Sequence, residues 1–314
     1  MKVLLLFPQK DRQTGLFLVR ALDEVGFKVK TIDSRSPMRW RIPLVSKIFR
    51  PDLILCNREK GIYRQLYKVR NSTSRPKMIC WNLDKKPSVR DFGDTLLALF
   101  GLMDILYTTT LGNIAEYREL LPHTEVKLLQ QGIDPMTHHR EQLTREDHKK
   151  YDCDVMFAGD LTDRAHRGRS ELIDYIKNAG YDVKVFGGKN AIFDSEHNKA
   201  CMCAKICLGH NGPKEMSDMA LSMSVRDYKV MGAGGVLLTG WCPGIEDWFT
   251  CEDSGKPMCF TYKSKEECVD KIAYILNHYD EASELACNAY DEVHQRHRYV
   301  DRVRQIVIDT GLHS

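Results

Sequence analysis

The feature that most constrains this chain is a regular alternation of short apolar runs with amphipathic stretches. Lys2–Phe7 is apolar over a strand's length, and Gly15–Val25 follows with Leu16, Val19 and Leu22 about one helical turn apart. Lys28–Asp33, Asp52–Cys56, Lys77–Leu83, Ile105–Thr109 and Val126–Gln130 read as further strands. The pattern breaks over Gly132–Tyr151, where Pro135 and the charge run Arg140–Lys150 suggest a linker at 136–152. It then restarts, with strands at Asp154–Ala158, Asp182–Phe186, Ala204–Leu208 and Val236–Thr239. Helices are expected at Ser170–Asn178, Val225–Met231, Lys265–Asn277 and Glu281–His297. Apolar runs separated by helices specify parallel sheets covered on both faces. For 314 residues, the prediction is α/β with two Rossmann-like domains, 1–135 and 153–314.

Several classes are excluded. The first apolar run is closed by Gln9-Lys10-Asp11-Arg12, too early for an export signal, and no stretch approaches the ~20 apolar residues of a membrane span. A cytoplasmic protein is expected, its eleven cysteines mostly free and buried. Cys201, Cys203 and Cys207 cluster near His197 and His210, but C-x-C-x3-C is not zinc-knuckle spacing, so core packing is expected and no metal.

The net charge of +3 conceals an asymmetry. Residues 1–135 carry 23 Lys and Arg against 14 Asp and Glu, while the remainder carries 23 against 29. Within 28–90 the count is 17 against 4. A block this cationic points to a polyanionic partner, nucleic acid or an anionic membrane surface. Arg39, Trp40, Arg41 and Lys47 are its candidate contacts, since aromatic rings among cations stack on bases or enter a lipid interface.

In the second half, three glycine turns follow strands: Gly159-Asp160, Gly187-Gly188 and Gly209-His210-Asn211-Gly212. Ligands of open parallel sheets bind at the strands' carboxyl ends, where glycine lets backbone N–H groups approach a phosphate. The stretch Ser222–Thr239 (SMSVRDYKVMGAGGVLLT) reads as loop, helix, glycine turn and buried strand. Arg226 and Lys229 are three apart and share a helical face suited to a diphosphate.

This stretch resembles the donor motif of the spore-maturation-type glycosyltransferases, which have the GT-B fold. The matching positions are Ser224, Arg226, Tyr228, Lys229, Gly234 with Gly235, and the strand Val236–Thr239. Phe157-Ala158-Gly159-Asp160 with Arg169 is similar to the family's first donor-domain turn, and Pro243–Phe249 to the loop after the motif. The resemblance covers about residues 154–304 and implies two Rossmann-like domains facing each other across a cleft. It further implies sugar transfer from a nucleotide sugar and no bound metal. Lys229 stands where the family has Glu, and a cation cannot accept bonds from ribose hydroxyls. Either Asp227 or Glu246 takes that role, or Lys229 contacts phosphate.

In the first half the resemblance implies acceptor binding, with Asp84 at the end of strand four as candidate base and Asp11 as second. A turn cap is the structural alternative for Asp84. The narrowly favoured acceptor is DNA with hydroxymethylated bases, ahead of a membrane lipid, glycan or protein. A sugar-nucleotide epimerase is the alternative enzyme, and no obligate protein partner is inferred.

Overall fold

A computed structural model describes residues 1–9, 14–73, 75–84, 86–161, 168–210, 223–242 and 244–312. The chain divides into two compact units: Met1–Gln130 with Tyr299–Ser314, and Gln131–Arg298.

The first unit runs β1 (Lys2–Leu6), α1 (Thr14–Glu24), β2 (Lys28–Thr31), α2 (Ile42–Phe49), β3 (Leu53–Cys56) and α3 (Tyr63–Arg70). It continues through β4 (Lys77–Asn82), α4 (Asp94–Gly101), β5 (Ile105–Thr108), α5 (Ile114–Leu120) and β6 (Glu125–Leu128). Its parallel sheet has the order β2-β1-β3-β4-β5-β6. Alternate side chains feed two cores, as the two-residue period of a strand requires. Leu4, Leu6, Ile54, Met78 and Leu106 enter one, with residues of α2, α3 and α4. Val3, Leu5, Leu53, Ile79 and Trp81 enter the other, with α1.

The second unit runs α6 (Arg145–Tyr151), β7 (Val155–Ala158), α7 (Arg169–Asn178), β8 (Val183–Phe186), α8 (Asp194–Cys203), β9 (Ile206–Leu208) and α9 (Val225–Gly232). It ends with β10 (Leu237–Gly240), α10 (Ile245–Trp248), β11 (Phe260–Tyr262), α11 (Lys265–Asn277) and α12 (Tyr279–Arg296). Its parallel sheet has the order β11-β10-β9-β7-β8. The chain therefore leaves β7 toward one side and resumes on the other, which sets the switch point between β7 and β9.

Two boundaries differ from the sequence reading. The expected linker 136–152 is part of the second unit. Thr144 and Asp147 form a reciprocal capping box that starts α6, and Tyr151 is buried against Phe186 at 5.7 Å. The C-terminal unit does not extend to residue 314. Helix α13 (Tyr299–Thr310) belongs to the first unit, where Tyr299 meets Phe17 and Trp81 at 5.5 and 6.2 Å. Tyr107 Oη donates to Asp309 at 2.6 Å, and Arg302 Nε donates to the Gln130 carbonyl at 3.0 Å.

All eleven cysteines are free and ten are buried; Cys201, Cys203 and Cys207 lie in the second unit's core. Among the described residues no helix is long and apolar enough to cross a membrane.

Candidate functional site

The carboxyl ends of β7, β8 and β9 are built from glycine for steric reasons. The Gly159 N–H donates to the Phe186 carbonyl at 2.9 Å, which ties the ends of β7 and β8 together. A Cβ on Gly187 would overlap the Gly159 carbonyl oxygen, and one on Gly159 would stand 2.5 Å from Arg226 Nη2. A Cβ on Gly209 would overlap the Thr239 hydroxyl and meet Asp227 Oδ1 at 2.6 Å. Gly188 adopts φ +56°, which admits few other residues. Tyr262 Oη donates to the Gly209 carbonyl at 2.8 Å, so His210 Nδ1, 3.1 Å from the same oxygen, is the donor to it. This pair holds the turn after β9 against β11. Asn211 lies outside the described residues.

Helix α9 starts at this edge. Ser224 accepts from the Arg226 N–H, and Asp227 accepts from the Ser224 N–H, a reciprocal cap. Arg226 then turns back over β7. Its Nε donates to the Ala158 carbonyl at 2.5 Å, and its guanidinium lies 4.7 Å from the Phe157 ring centre. Arg169, buried at the start of α7, lies 5.6 Å from the same ring and donates to the Asp160 carbonyl at 2.9 Å. Two guanidinium groups thus flank one aromatic ring. Burial, and then the charge of Arg226, push Arg169 down to about 10, so it stays charged at neutral pH.

Arg226 Nη1 and Arg169 Nε are buried with no hydrogen-bond partner among the described residues. A buried donor left unmatched costs about 1–3 kcal/mol, more when charged. An anion at this edge would recover that cost. Lys229 lies one turn further along α9; burial chiefly, with the Arg226 charge, lowers its ammonium from the ordinary lysine range. Its field reaches two buried imidazoles. His197 is pushed down to about 3 by burial, then by Lys229 and Arg226. His138 is pushed down to about 2 by burial, then by Lys229 and His197.

Several expected donor residues make packing contacts or lie away from this edge. Tyr228 is fully buried and packs edge-on against Phe249 at 5.1 Å. It sits two residues after Arg226, and residues at that spacing do not share a helical face. Gly234 and Gly235 follow the last turn of α9, ~12 Å of helix away from Ser224, at the opposite edge of the sheet. Gly234 turns the chain at φ +81°, and Gly235 packs on Cys201 and Cys207. Asp227 is fully buried, used by the cap and by Thr239 at 3.3 Å. The exposed Glu246 accepts from the Trp241 indole at 2.7 Å. The sequence reading missed Tyr262, because an aromatic residue in a strand carries no signal beyond core packing, and His138, which lay in the stretch read as a linker.

In the first unit, Asp84 stands just past β4, half exposed and ion-paired with Arg58. Its N–H donates to Asn82 Oδ1 at 3.2 Å. Asp11 lies outside the described residues. Arg39, Trp40 and Arg41 form a 3-10 turn at the carboxyl edge, with Arg41 5.3 Å from the Trp40 ring centre, and Lys47 projects from α2.

One group of potential metal ligands lies elsewhere among the described residues. His148, Asp152 and Cys203 hold their ligand atoms within 4.8 Å of one another. Burial raises the Cys203 thiol to about 11, and His148 Nδ1 and Asp152 Oδ1 lie 2.9 Å apart at the surface beside it.

Residues 164–308 match the family described as glycosyl transferase-like. No curated protein matches the chain. HepE of Anabaena in complex with UDP superposes with a TM-score of 0.67 at 14% identity, over 99% of this chain and 100% of that one. Sucrose-phosphate synthase from Thermosynechococcus elongatus gives 0.67 at 11%, over 99% of each chain. An alpha-glucosyltransferase in complex with UDP and a 13-mer DNA containing an HMU base gives 0.67 at 9%, over 98% of each. At such identities the likeness to these structures is one of fold, and the fold is GT-B. The family match covers residues 164–308, less than half of the chain, and falls mostly within the second unit.

Proposed function

We propose that this chain transfers a sugar from a nucleoside diphosphate sugar to a hydroxyl of an anionic acceptor. The observation that carries the donor reading is the pair of guanidinium groups on Phe157, each with a buried N–H unmatched among the described residues, at the switch point of the second unit's sheet. A diphosphate supplies two charges and several acceptor oxygens, which suits two such forks. The same cations would stabilise the departing diphosphate, so no metal is required. The UDP bound by HepE and by the alpha-glucosyltransferase supports a uridine donor. Lys229, beside Arg226 on α9, fits phosphate better than ribose hydroxyls, which leaves ribose recognition to other groups.

The first unit is read as the acceptor side, with Asp84 taking the hydroxyl proton. DNA with hydroxymethylated bases is supported by the 17-to-4 cation excess over residues 28–90 and by the DNA-bound neighbour. A lipid-linked acceptor is the second reading, favoured by exposed apolar side chains in the same block.

The direct experiment is nucleotide release from a panel of nucleotide sugars, alone, with hydroxymethylated DNA and with anionic vesicles. Release from none of them, with no binding of any nucleotide, would end the donor reading. Arg226→Ala should weaken UDP binding by about 1.5–3 kcal/mol, the worth of a hydrogen bond to a charged group, or roughly ten- to 150-fold. Calorimetry with unchanged affinity would remove Arg226 from the site.

A further inference from the structure

Helix α2, with the turn before it, is apolar on two opposite faces. Ile42, Ser46 and Phe49 are buried, and Ile42 joins the first unit's core. On the other side Trp40, Leu44 and Ile48 are 58%, 52% and 69% exposed. Leu44 and Ile48 are one helical turn apart on the outer face of α2, and Trp40 is exposed on the turn that leads into it, so the three follow one another along the outside. Of the ten exposed large hydrophobic residues among those described, four fall within residues 38–48, Met38 being the fourth. A helix apolar all round is ordinarily covered on every side. Isolated exposed apolar residues need no explanation, but an aligned group does.

The charges around the stripe indicate what covers it. Residues 28–50 hold seven Lys or Arg and one acid, Asp33. Arg41, Lys47 and Arg50 are exposed within or beside the stripe. A second copy of this chain would bring two cationic faces together. Duplex DNA would satisfy the cations but leave Leu44 and Ile48 in water, since aliphatic side chains gain nothing from phosphates. A bilayer with anionic headgroups meets both demands, taking the apolar side chains at its acyl boundary and the cations at its phosphates.

We propose that the stripe Trp40–Leu44–Ile48, ringed by Arg41, Lys47 and Arg50, docks the protein in-plane on an anionic membrane surface. The proposal rests on the reading of the first unit as the acceptor side and, within it, takes up the second acceptor, a lipid-linked hydroxyl, in place of DNA. Its test reads lipid binding without donor or turnover.

The experiment is flotation with vesicles of phosphatidylcholine alone and of phosphatidylcholine mixed with phosphatidylglycerol. The parent protein should float with the mixed vesicles far more than with the neutral ones, and high salt should reduce this. The triple variant Trp40→Ser, Leu44→Ser, Ile48→Ser should partition at least about tenfold less, because three apolar side chains no longer enter the interface. These side chains face outward, so circular dichroism should show the parent's fold. The double variant Arg41→Gln, Lys47→Gln should lose the preference for anionic vesicles while keeping weak binding to neutral ones. The proposal is overturned if the parent ignores anionic vesicles or if the triple variant floats as the parent does. It is equally overturned if the stripe variants abolish duplex DNA binding or dimerisation while vesicles bind neither form. Arg226→Ala, tested alongside, should float normally. A normal flotation result with no nucleotide binding by the parent would fault the donor reading and leave the docking surface standing.

Discussion

Asp84→Asn should lower turnover by ~10²–10⁴-fold while leaving UDP affinity unchanged, the loss expected when a general base is removed and its shape kept. A glycosyl acceptor hydroxyl is a poor nucleophile until its proton has somewhere to go. Asp84 is the acid that β4 delivers to the carboxyl edge of the first unit's sheet, half exposed and therefore reachable. Its partner Arg58 holds the carboxylate in place. The ion pair itself is exposed, so breaking it should cost no more than about 1 kcal/mol of stability. A large kinetic loss with a near-parental melting temperature would therefore be chemical and not structural. Single-turnover nucleotide release, with donor affinity measured in parallel, makes the distinction. Turnover within a few-fold of the parent would sink the assignment and make Asp11 the next residue to replace.

The second large effect is on stability. His138 and His197 are buried as neutral imidazoles in the second unit, pushed down to about 2 and about 3, against about 6.5 in an unfolded chain. Their folded values are depressed, so their contribution is complete above pH ~6.5 and is lost as pH falls below it. On unfolding below that pH each histidine takes up a proton, at about 1.4 kcal/mol per pH unit. Between pH 6.5 and 5 the pair should remove roughly 3 kcal/mol, a large share of an ordinary domain's stability. Urea unfolding followed by fluorescence reports on this unit through Trp241 and Trp248. Replacing both histidines with Gln should flatten the slope over that window. An unchanged slope in the double variant would show that other groups drive the acid sensitivity.

Much of the fold was legible because parallel strands buried on both faces write themselves as unbroken apolar runs. KVLLL, LILC and VMFA became β1, β3 and β7 within a residue or two. Helix α9 was legible from its ends, a serine cap followed three residues later by aspartate, and from the Arg226–Lys229 spacing. Helix α2 was not, because IPLVSKIF carries Leu44 and Ile48 opposite the buried Ile42 and Phe49, so its buried side does not stand out from its exposed one. Helix α8 was hidden for the opposite reason: DSEHNKACMC mixes polar and thiol side chains, so its buried face does not stand out. The charge run at 140–150 resembled a linker, although Thr144 and Asp147 already spelled a cap. At the site, cations and glycines at strand ends could be read, since only an anion justifies placing the former there. Gly234, Gly235 and Tyr228 stand apart from that edge, because a motif lists residues along a line, whereas a helix separates its two ends by its length and its faces by rotation.

The return of α13 to the first unit has a bearing on how the protein is made. The ribosome completes residues 1–130 long before it reaches Tyr299, Val300, Val303 and Ile306, which close the core formed by Phe17, Leu18 and Trp81. Until then that face of the nascent sheet stays open, whereas the second unit has all of its residues once Arg298 has emerged. The half synthesised first is thus the half finished last. A chain stopped short of residue 299 should therefore leave its N-terminal half, not its C-terminal one, with an open apolar face.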